Sequence, residues 1–353
     1  MARAVVHYTG CMKSLSFPFK SAILCCALLT FIPASVFAQS GTQEEDQQLD
    51  KQLLAIAQAH HGHLTLFAHN LKTGQTASVD ADLAVQTASV IKLGVLLDAA
   101  EQIRSGRASL GEKLVLTKEN QTGGSGVLGQ LTAPLTLTLG DTLTLMVIQS
   151  DNTATNMAID RLGLAHINST LTAAGLKETW LYKKVGVPSK EPMPADQPKF
   201  GLGKTTAREM ASVMERLADC RLSLDGSAPL PGDGPLCGVF LNMMLNQQTR
   251  DSLPRYLEAL DTGDRGSAIA NKTGSLDDVR NDVALIATKA GPVVISAFTW
   301  DNADQRWTGD NEAEKTLAKA AQAIILQWSP GGLDSEAFRW KDPLAPAPAA
   351  PRH

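Results

Sequence analysis

The sequence predicts a protein of the α/β (α+β) class, in which helix and strands from both ends of the chain form one layered part around a mainly helical middle. Three observations carry that prediction. Near the N-terminus, "HLTLFAHNLKTGQTASVD" alternates apolar and polar residues on either side of "LKTGQ", the pattern of strand, turn and strand. Towards the C-terminus, "SAIANKTGSL", "NDVALIATKA" and "PVVISAFTW" read as strands again. Between them, from Leu83 to about Leu245, apolar residues recur mainly at helical spacing, broken by Gly-rich loops such as "NQTGGSGVLGQL".

Taken in order, the chain opens on a targeting segment. "MKSLSFPFKSAILCCALLTFIPASVFAQS" places Lys13 and Lys20 before an apolar run from Ala22 to Ile32, then small residues before Gln39. That is the layout of a secretory leader, residues 1–38, with cleavage expected after Ala38 and a secreted or periplasmic product. Met12 stands as an alternative start to Met1. The apolar run is short for a membrane span, and Cys25 and Cys26 lack the flanking pattern of a lipoprotein signal, so no stable membrane insertion is expected. Removal of the leader leaves Cys220 and Cys237. An even pair in an oxidising compartment predicts a disulfide, with two buried thiols as the alternative.

"DQQLDKQLLAIAQAHHG" then repeats Leu49, Leu53, Leu54 and Ile56 at helical spacing, with Gly62 as its stop. His60, His61 and His63 sit near that helix C-terminus, where they suit the dipole, and no carboxylate or cysteine beside them completes a metal-ligand set. The α/β part is expected at about 42–82 and 265–328, around a helical part at about 83–264, all in one catalytic domain spanning 39–328. "YKKVGVPSKEPMPADQPKFGLGK" lacks periodicity, and a loop of that length inside a folded region is commonly a functional one. A final helix, about Asn311 to Trp328, carries Leu317, Ala320, Ala321, Ile324 and Ile325 on one face and is expected to close on the sheet. Residues 329–353, ending in the Pro/Ala-rich "DPLAPAPAAPRH", are expected to be a disordered tail. Across 353 residues the net charge is −4 and the basic residues are scattered, which excludes a nucleic-acid groove.

Chemistry enters at "TASVIKLGVLLDAA". Ser89 and Lys92 lie one helical turn apart on the same face, and a serine hydroxyl becomes a nucleophile only when a base takes its proton. The positive end of the helix dipole beside Ser89 favours developing negative charge. By itself Ser-x-x-Lys is weak, arising by chance roughly once per 250 positions. Two further triplets change its weight: Ser150-Asp151-Asn152 in "QSDNTATN" and Lys272-Thr273-Gly274 in "ANKTGSL". Singly these read equally well as a buried lysine paired with a carboxylate, an Asx-turn and a hairpin turn.

Together and in order, the three motifs are the signature set of class A β-lactamases and penicillin-binding proteins. The chain resembles that superfamily, and its class A branch in particular, from about Leu49 to Trp328 through "GGSGVLGQL", "LMVIQSDNTATNMAIDRLG", "GLKETWL", "KTTAREMASVMERL" and "KTGSLDDVRNDVALI". The resemblance implies an antiparallel sheet flanked by helices plus a mainly helical subdomain, with the site in the cleft between them. It implies Ser89 as nucleophile, Lys92 as its base and Ser150 as proton relay to the leaving nitrogen. Lys272 is the candidate for a nearby cation that would lower the Lys92 pKa. Asn152 would hold the substrate's side-chain amide, and Thr273 and Arg280 the substrate carboxylate. The backbone N–H groups of Ser89 and Ser275 would form the oxyanion hole. A small β-lactam is the implied partner of a monomer, with no metal or organic cofactor.

One family feature is missing. Class A enzymes hydrolyse the acyl-enzyme with a glutamate-activated water, the glutamate lying on a loop after the Ser-Asp-Asn helix. "GLKETWLYKKVGVP" follows the family pattern to about Leu181, and counted on without gaps Val185 occupies the glutamate's place. Glu191, the glutamate of this loop, is the candidate deacylation base, with Asp196 second; the alternative is a solvated loop carboxylate. Three readings therefore stand. The first is an exported class A serine β-lactamase. The second is a D-alanyl peptidase or esterase of penicillin-binding type, acylated by β-lactams with slow or no turnover. The third is a β-lactam sensor, which needs an anchor and signalling segment that the sequence does not display.

Overall fold

The computed structural model describes residues 35–189, 192–224, 227–228, 230, 232–257 and 268–338. The chain divides into two units, Met1–Thr42 and Gln43–His353. Of the leader expected at 1–38, all but residues 35–38 lies outside the described residues.

Helix α1 (Ser35–Ala59) leads into the hairpin of β1 (His63–Asn70) and β2 (Thr76–Val79). The hairpin turns where the Asn70 side chain accepts from the Lys72 and Thr73 N–H groups and Gly74 takes φ 78°. The short β3 (Val85–Gln86) and a 3-10 turn, Ala88–Ile91, feed α2 (Lys92–Arg104). A hairpin of β4 (Lys113–Leu116) and β5 (Leu135–Thr138) precedes α3 (Leu139–Ile148), α4 (Asn152–Leu162) and α5 (Leu164–Ala173). Strand β6 (Trp180–Leu181), the four-residue α6 (Gln197–Phe200) and β7 (Gly203–Thr205) frame the long loop. Helices α7 (Ala207–Ala218) and α8 (Asp233–Leu245) follow. The chain then returns through β8 (Ile269–Leu276), β9 (Val279–Ile286), β10 (Val293–Trp300) and α9 (Glu312–Trp328).

The two ends meet in one antiparallel sheet of order β2-β1-β10-β9-β8. Its long strands β1, β8, β9 and β10 are buried almost throughout because both faces are covered. Alternate residues of β10 divide accordingly: Val293, Ile295 and Ala297 pack with Leu49 and Leu53 of α1 and Leu317, Ile324 and Ile325 of α9. Val294 and Phe298 face the other way, with Val283 and Leu285 of β9, into the core built by α2, α3, α4, α5, α7 and α8. Each fully buried aliphatic side chain in these layers contributes about 1.5–3 kcal/mol. Helix α9 starts where Asn311 caps the Ala313 and Glu314 N–H groups.

The structure adds to one expectation and corrects another. The helical middle also holds a three-stranded sheet, β3-β7-β6, and the β4-β5 hairpin; these strands have two to four residues, too few for alternation to register. The start of the expected tail is packed: Leu333 bridges to Thr288 and is buried, and Asp334 N–H donates to Ala287 O at 3.0 Å. The Pro/Ala composition of the last residues hid the apolar Leu333 and Phe338; residues 339–353 lie outside the described ones. Cys220 and Cys237 are joined as a disulfide, Cα atoms 5.7 Å apart, tying the end of α7 to α8. Among the described residues, no helix is long and apolar enough to cross a membrane.

Candidate active site

Ser89 is placed by the sheet. The Asn281 amide of β9 donates to Gln86 O at 2.9 Å and Thr87 O at 3.2 Å, anchoring the chain just before the serine. Gly274 of β8 lets the strand come close: a Cβ there would lie 2.8 Å from Thr87 O and Val90 N and 2.9 Å from Ser89 N. Any other residue would push the sheet edge off the turn. Ala88 holds φ 43°, a left-handed conformation uncommon outside glycine, so the nucleophile candidate sits on a strained turn. Ser89 is half-buried and lines two adjoining cavities of about 240 Å³ each.

Lys92 opens α2, which is buried on nearly every side, and its own side chain is fully buried. Its Nζ lies 2.6 Å from Ser150 O, 3.1 Å from Ser150 Oγ and 3.1 Å from Asn152 Oδ1. Burial first, then the cation of Lys272, holds the Lys92 pKa well below that of a free lysine, with Asp151 opposing. Lys272 on β8 is also fully buried; its Nζ is 3.1 Å from Ser150 Oγ and 2.7 Å from Thr273 O. Desolvation brings its pKa down to about 7, against the attraction of Asp282.

Ser150 thus stands between two amines that belong to distant parts of the chain. It adopts φ 51° as the backbone turns from α3 into α4. Asp151 fixes that turn: Oδ1 caps Ala154 N–H at 2.8 Å, and Oδ2 accepts from Val127 N–H at 2.6 Å and Leu128 N–H at 2.8 Å. The Gly-rich loop is thereby fastened over the start of α4, with Asn152 N–H donating to Ser125 O at 3.0 Å and the Asn152 amide to Gly123 O at 3.1 Å.

Thr273 and Ser275 follow Lys272 along β8 and line the cavities. Arg280, expected to grip a carboxylate with Thr273, has a side chain only 2% exposed. Its NH1 donates to Leu276 O and Val279 O, its NH2 donates to Arg306 O at 3.0 Å, and its Nε is 3.4 Å from Glu314 Oε1. The Trp307 ring covers its face at 4.6 Å. The guanidinium is therefore largely committed to the protein. The physical reason is a loop, 301–310, that brings backbone oxygens and Trp307 down on it, a contact unreadable from local spacing.

Val185 holds the loop place where the resemblance implies a glutamate. Asn156 clamps its backbone both ways, accepting from Val185 N–H at 2.8 Å and donating to Val185 O at 2.9 Å. Lys183, Lys184, Val185 and Gly186 line the cavity beside Ser89 and Asn152. Glu191 lies outside the described residues. Asp196 is held near Lys204, 3.2 Å from its Nζ, and hydrogen-bonded by Tyr182, and it lines neither cavity. Among the described residues, the carboxylates lining these cavities are Asp251 and Glu314. Sequence reasoning missed both, as well as Trp307: they sit in segments that look like ordinary turn and helix surface. Ser125 did have a signal, since it lies in "GGSGVLGQL". Of the three histidines, His60 bonds Asn302 and lies 3.7 Å from Glu312, His61 bonds the same Glu312, and His63 stacks on Trp300.

Chemically, the arrangement supplies a hydroxyl at the mouth of two cavities, two amines of lowered basicity meeting at a second hydroxyl, and a close strand edge. It suits proton transfer around an attacked carbonyl. Comparison with known proteins finds the following likenesses. The model of the Beta-lactamase enzyme family matches residues 48–328. β-Lactamase AER-1 of Aeromonas hydrophila is 27% identical over 163 residues, which cover 46% of this chain and 52% of that protein, so the match spans about half of that relative's length. The structure of a β-lactamase from Sphaerobacter thermophilus superposes with a TM-score of 0.66 at 26% identity, covering 78% of this chain and 96% of that one. PBP-A, solved as a leucine-to-glutamate mutant in an acyl-enzyme complex with penicillin G, is alike in fold, with a TM-score of 0.64 at 22% identity over 80% of this chain and 95% of that one.

Proposed function

This chain belongs to the β-lactamase enzyme family, and from that premise we propose that it is an exported, monomeric serine β-lactamase acting through an acyl-Ser89 intermediate. The observation that carries the reading is the pair of buried amines, Lys92 and Lys272, each 3.1 Å from Ser150 Oγ beside the cavity-lining Ser89. A neutral amine has two N–H groups and one lone pair. Lys92 can donate to Ser150 O and Asn152 Oδ1 while its lone pair accepts a proton, the state that burial favours.

In the proposed reaction, Ser89 Oγ attacks the β-lactam carbonyl as its proton passes to Lys92. The carbonyl oxygen takes the negative charge and is held by the Ser89 and Ser275 N–H groups, donors of a kind commonly worth about 3–4 kcal/mol of barrier. Collapse breaks the C–N bond while Ser150 delivers a proton to the leaving nitrogen and is resupplied from Lys92, with Lys272 donating to the Ser150 oxygen. Asn152 is suited to the substrate's side-chain amide, and Thr273 to its carboxylate, with Arg280 behind supplying field rather than a free fork. Water then cleaves the acyl-Ser89 ester. Export is supported by the leader-like residues 1–38 and is compatible with the disulfide.

A second reading rests on Val185. An apolar residue lines the cavity at the loop place of the water-activating glutamate, which favours an enzyme that β-lactams acylate but that deacylates slowly, as a D-alanyl peptidase or esterase would. Intact mass of the mature protein after mixing with benzylpenicillin, sampled from seconds to an hour, separates the readings. A transient adduct with steady penicilloate formation is the expected result. A persistent adduct selects the second reading, and no adduct on folded protein, with Ser89→Ala as control, sinks both.

A further inference from the structure

The cavity on the Thr273 side of Ser89 ends in acid. Besides Ser89, Ser150, Thr273, Ser275 and Arg280 it is lined by Asp251 and by Glu314 of α9. The Glu314 side chain is only 12% exposed and faces the Nε of Arg280 at 3.4 Å. We propose that Glu314 is a specificity-determining residue for substrate charge: protonated, its carboxyl donates a hydrogen bond to a substrate carboxylate in this cavity, and ionised, it repels one. The inference rests on the acyl-Ser89 reading and deepens it.

The geometry leaves little choice of donor. Of the five N–H groups of Arg280, two are turned to Leu276 O and Val279 O, one to Arg306 O and one towards Glu314, and Trp307 closes the face. An anion in the cavity therefore meets hydroxyls, the Glu314 carboxyl and an Arg280 guanidinium with only one of its five N–H groups uncommitted. Which state that carboxyl adopts is decided by its surroundings on every side. Burial raises its pKa most, and Asp282 of β9 and Asp251 of the segment after α8 raise it further. Arg280 of β9 and a hydrogen bond from Ser252 oppose them, and the balance lies at about 7. Asp282 is itself buried and accepts from Ser252 Oγ at 2.7 Å and the Asn271 amide at 3.1 Å, so it stays where it is. On β8, Lys272 loses its proton in the same range. The loop ahead of α9 adds charges already paired, Arg306 with Asp304 and Arg255 with Asp310.

Helix α9 thus carries a titrating acid into the substrate cavity, and the preference for a free substrate carboxylate over a capped one should fall as pH rises through neutrality. The test is the second-order rate of Ser89 acylation by benzylpenicillin and by its methyl ester, read by intact mass at pH 5.5 and pH 8.5 on the native protein and on Glu314→Gln. The acid-to-ester rate ratio isolates the substrate carboxylate, and dividing the variant's ratio by the native one cancels the titration of Lys272. Roughly one-thirtieth of a group with pKa near 7 is protonated at pH 8.5. The quotient is therefore expected to rise from about one at pH 5.5 to on the order of ten at pH 8.5. A quotient equal at both pH values overturns the assignment.

Should Glu314→Gln fail to fold, Asp251→Asn keeps the carboxyl and removes one acid that raises its pKa. The midpoint of the fall in the acid-to-ester ratio then moves to lower pH, and an unmoved midpoint overturns the assignment. Absence of any adduct with either compound removes the acyl-Ser89 reading itself, and the inference with it. Adducts with a flat quotient overturn only the role of Glu314.

Discussion

Replacing Lys272 by methionine should make the protein more stable while abolishing its chemistry, and the gain should depend on pH in a defined way. The Lys272 amine is fully buried, and its pKa falls from 10.5 to about 7. A depression of 3.5 units corresponds to about 5 kcal/mol of penalty on the charged form, at 1.36 kcal/mol per unit. Below pH 7 the lysine is charged in the folded and unfolded chains alike, so folding bears the whole penalty. Between pH 7 and 10.5 the unfolded chain holds a proton that the folded one does not, so stability rises with pH by about 1.4 kcal/mol per unit. Above 10.5 both are neutral and the penalty is gone. Lys272→Met carries no such penalty at any pH, but it strips Asp282 of an attracting charge. We expect a net gain of about 2–4 kcal/mol at pH 6, shrinking by about 2 kcal/mol between pH 7 and pH 9. Urea unfolding of both proteins at pH 6, 7, 8 and 9, followed by circular dichroism, measures the difference directly. A stability difference that stays constant from pH 6 to pH 9 would refute the reasoning, because it would mean the buried amine keeps its proton throughout.

Three further outcomes are expected. Gly274→Ala puts a Cβ within 2.8–2.9 Å of backbone atoms of Thr87, Ser89 and Val90; the forced shift should slow acylation by benzylpenicillin on the order of a hundredfold, and an unchanged rate by intact mass would show that the edge of β8 does not set the position of Ser89. Asn156→Ala removes both hydrogen bonds that clamp Val185 and should cost about 2–3 kcal/mol, with faster amide exchange at residues 183–186 read by mass spectrometry. Cys220→Ser with Cys237→Ser opens a link of sequence separation 17 and should cost about 3 kcal/mol, a loss that a reducing agent should reproduce in the native protein on chemical unfolding.

What could be read from the chain alone is what local spacing controls. Ser89 and Lys92 fall on one turn because three residues nearly complete a helical turn, and strand β1 announces itself by apolar–polar alternation and β9 and β10 by apolar runs with turn signals between. The final helix is legible from its apolar face, and the cysteine pair from simple counting. Val185, too, could be placed by counting along the loop, though not the clamp that Asn156 puts on it.

Only the folded structure decided the rest. Lys92, Ser150 and Lys272 come from α2, the α3–α4 turn and β8, and that one hydroxyl lies 3.1 Å from both amines is a fact about packing. So are their lowered pKa values, since desolvation and Coulomb fields sum over neighbours remote in sequence. The same holds for Arg280, for which the resemblance implied a substrate carboxylate and which the loop at 301–310 also holds against backbone oxygens, Trp307 and Glu314. Sequence spacing determines which side chains share a turn or a strand face. What surrounds a charge is determined only when the ends of the chain close over it.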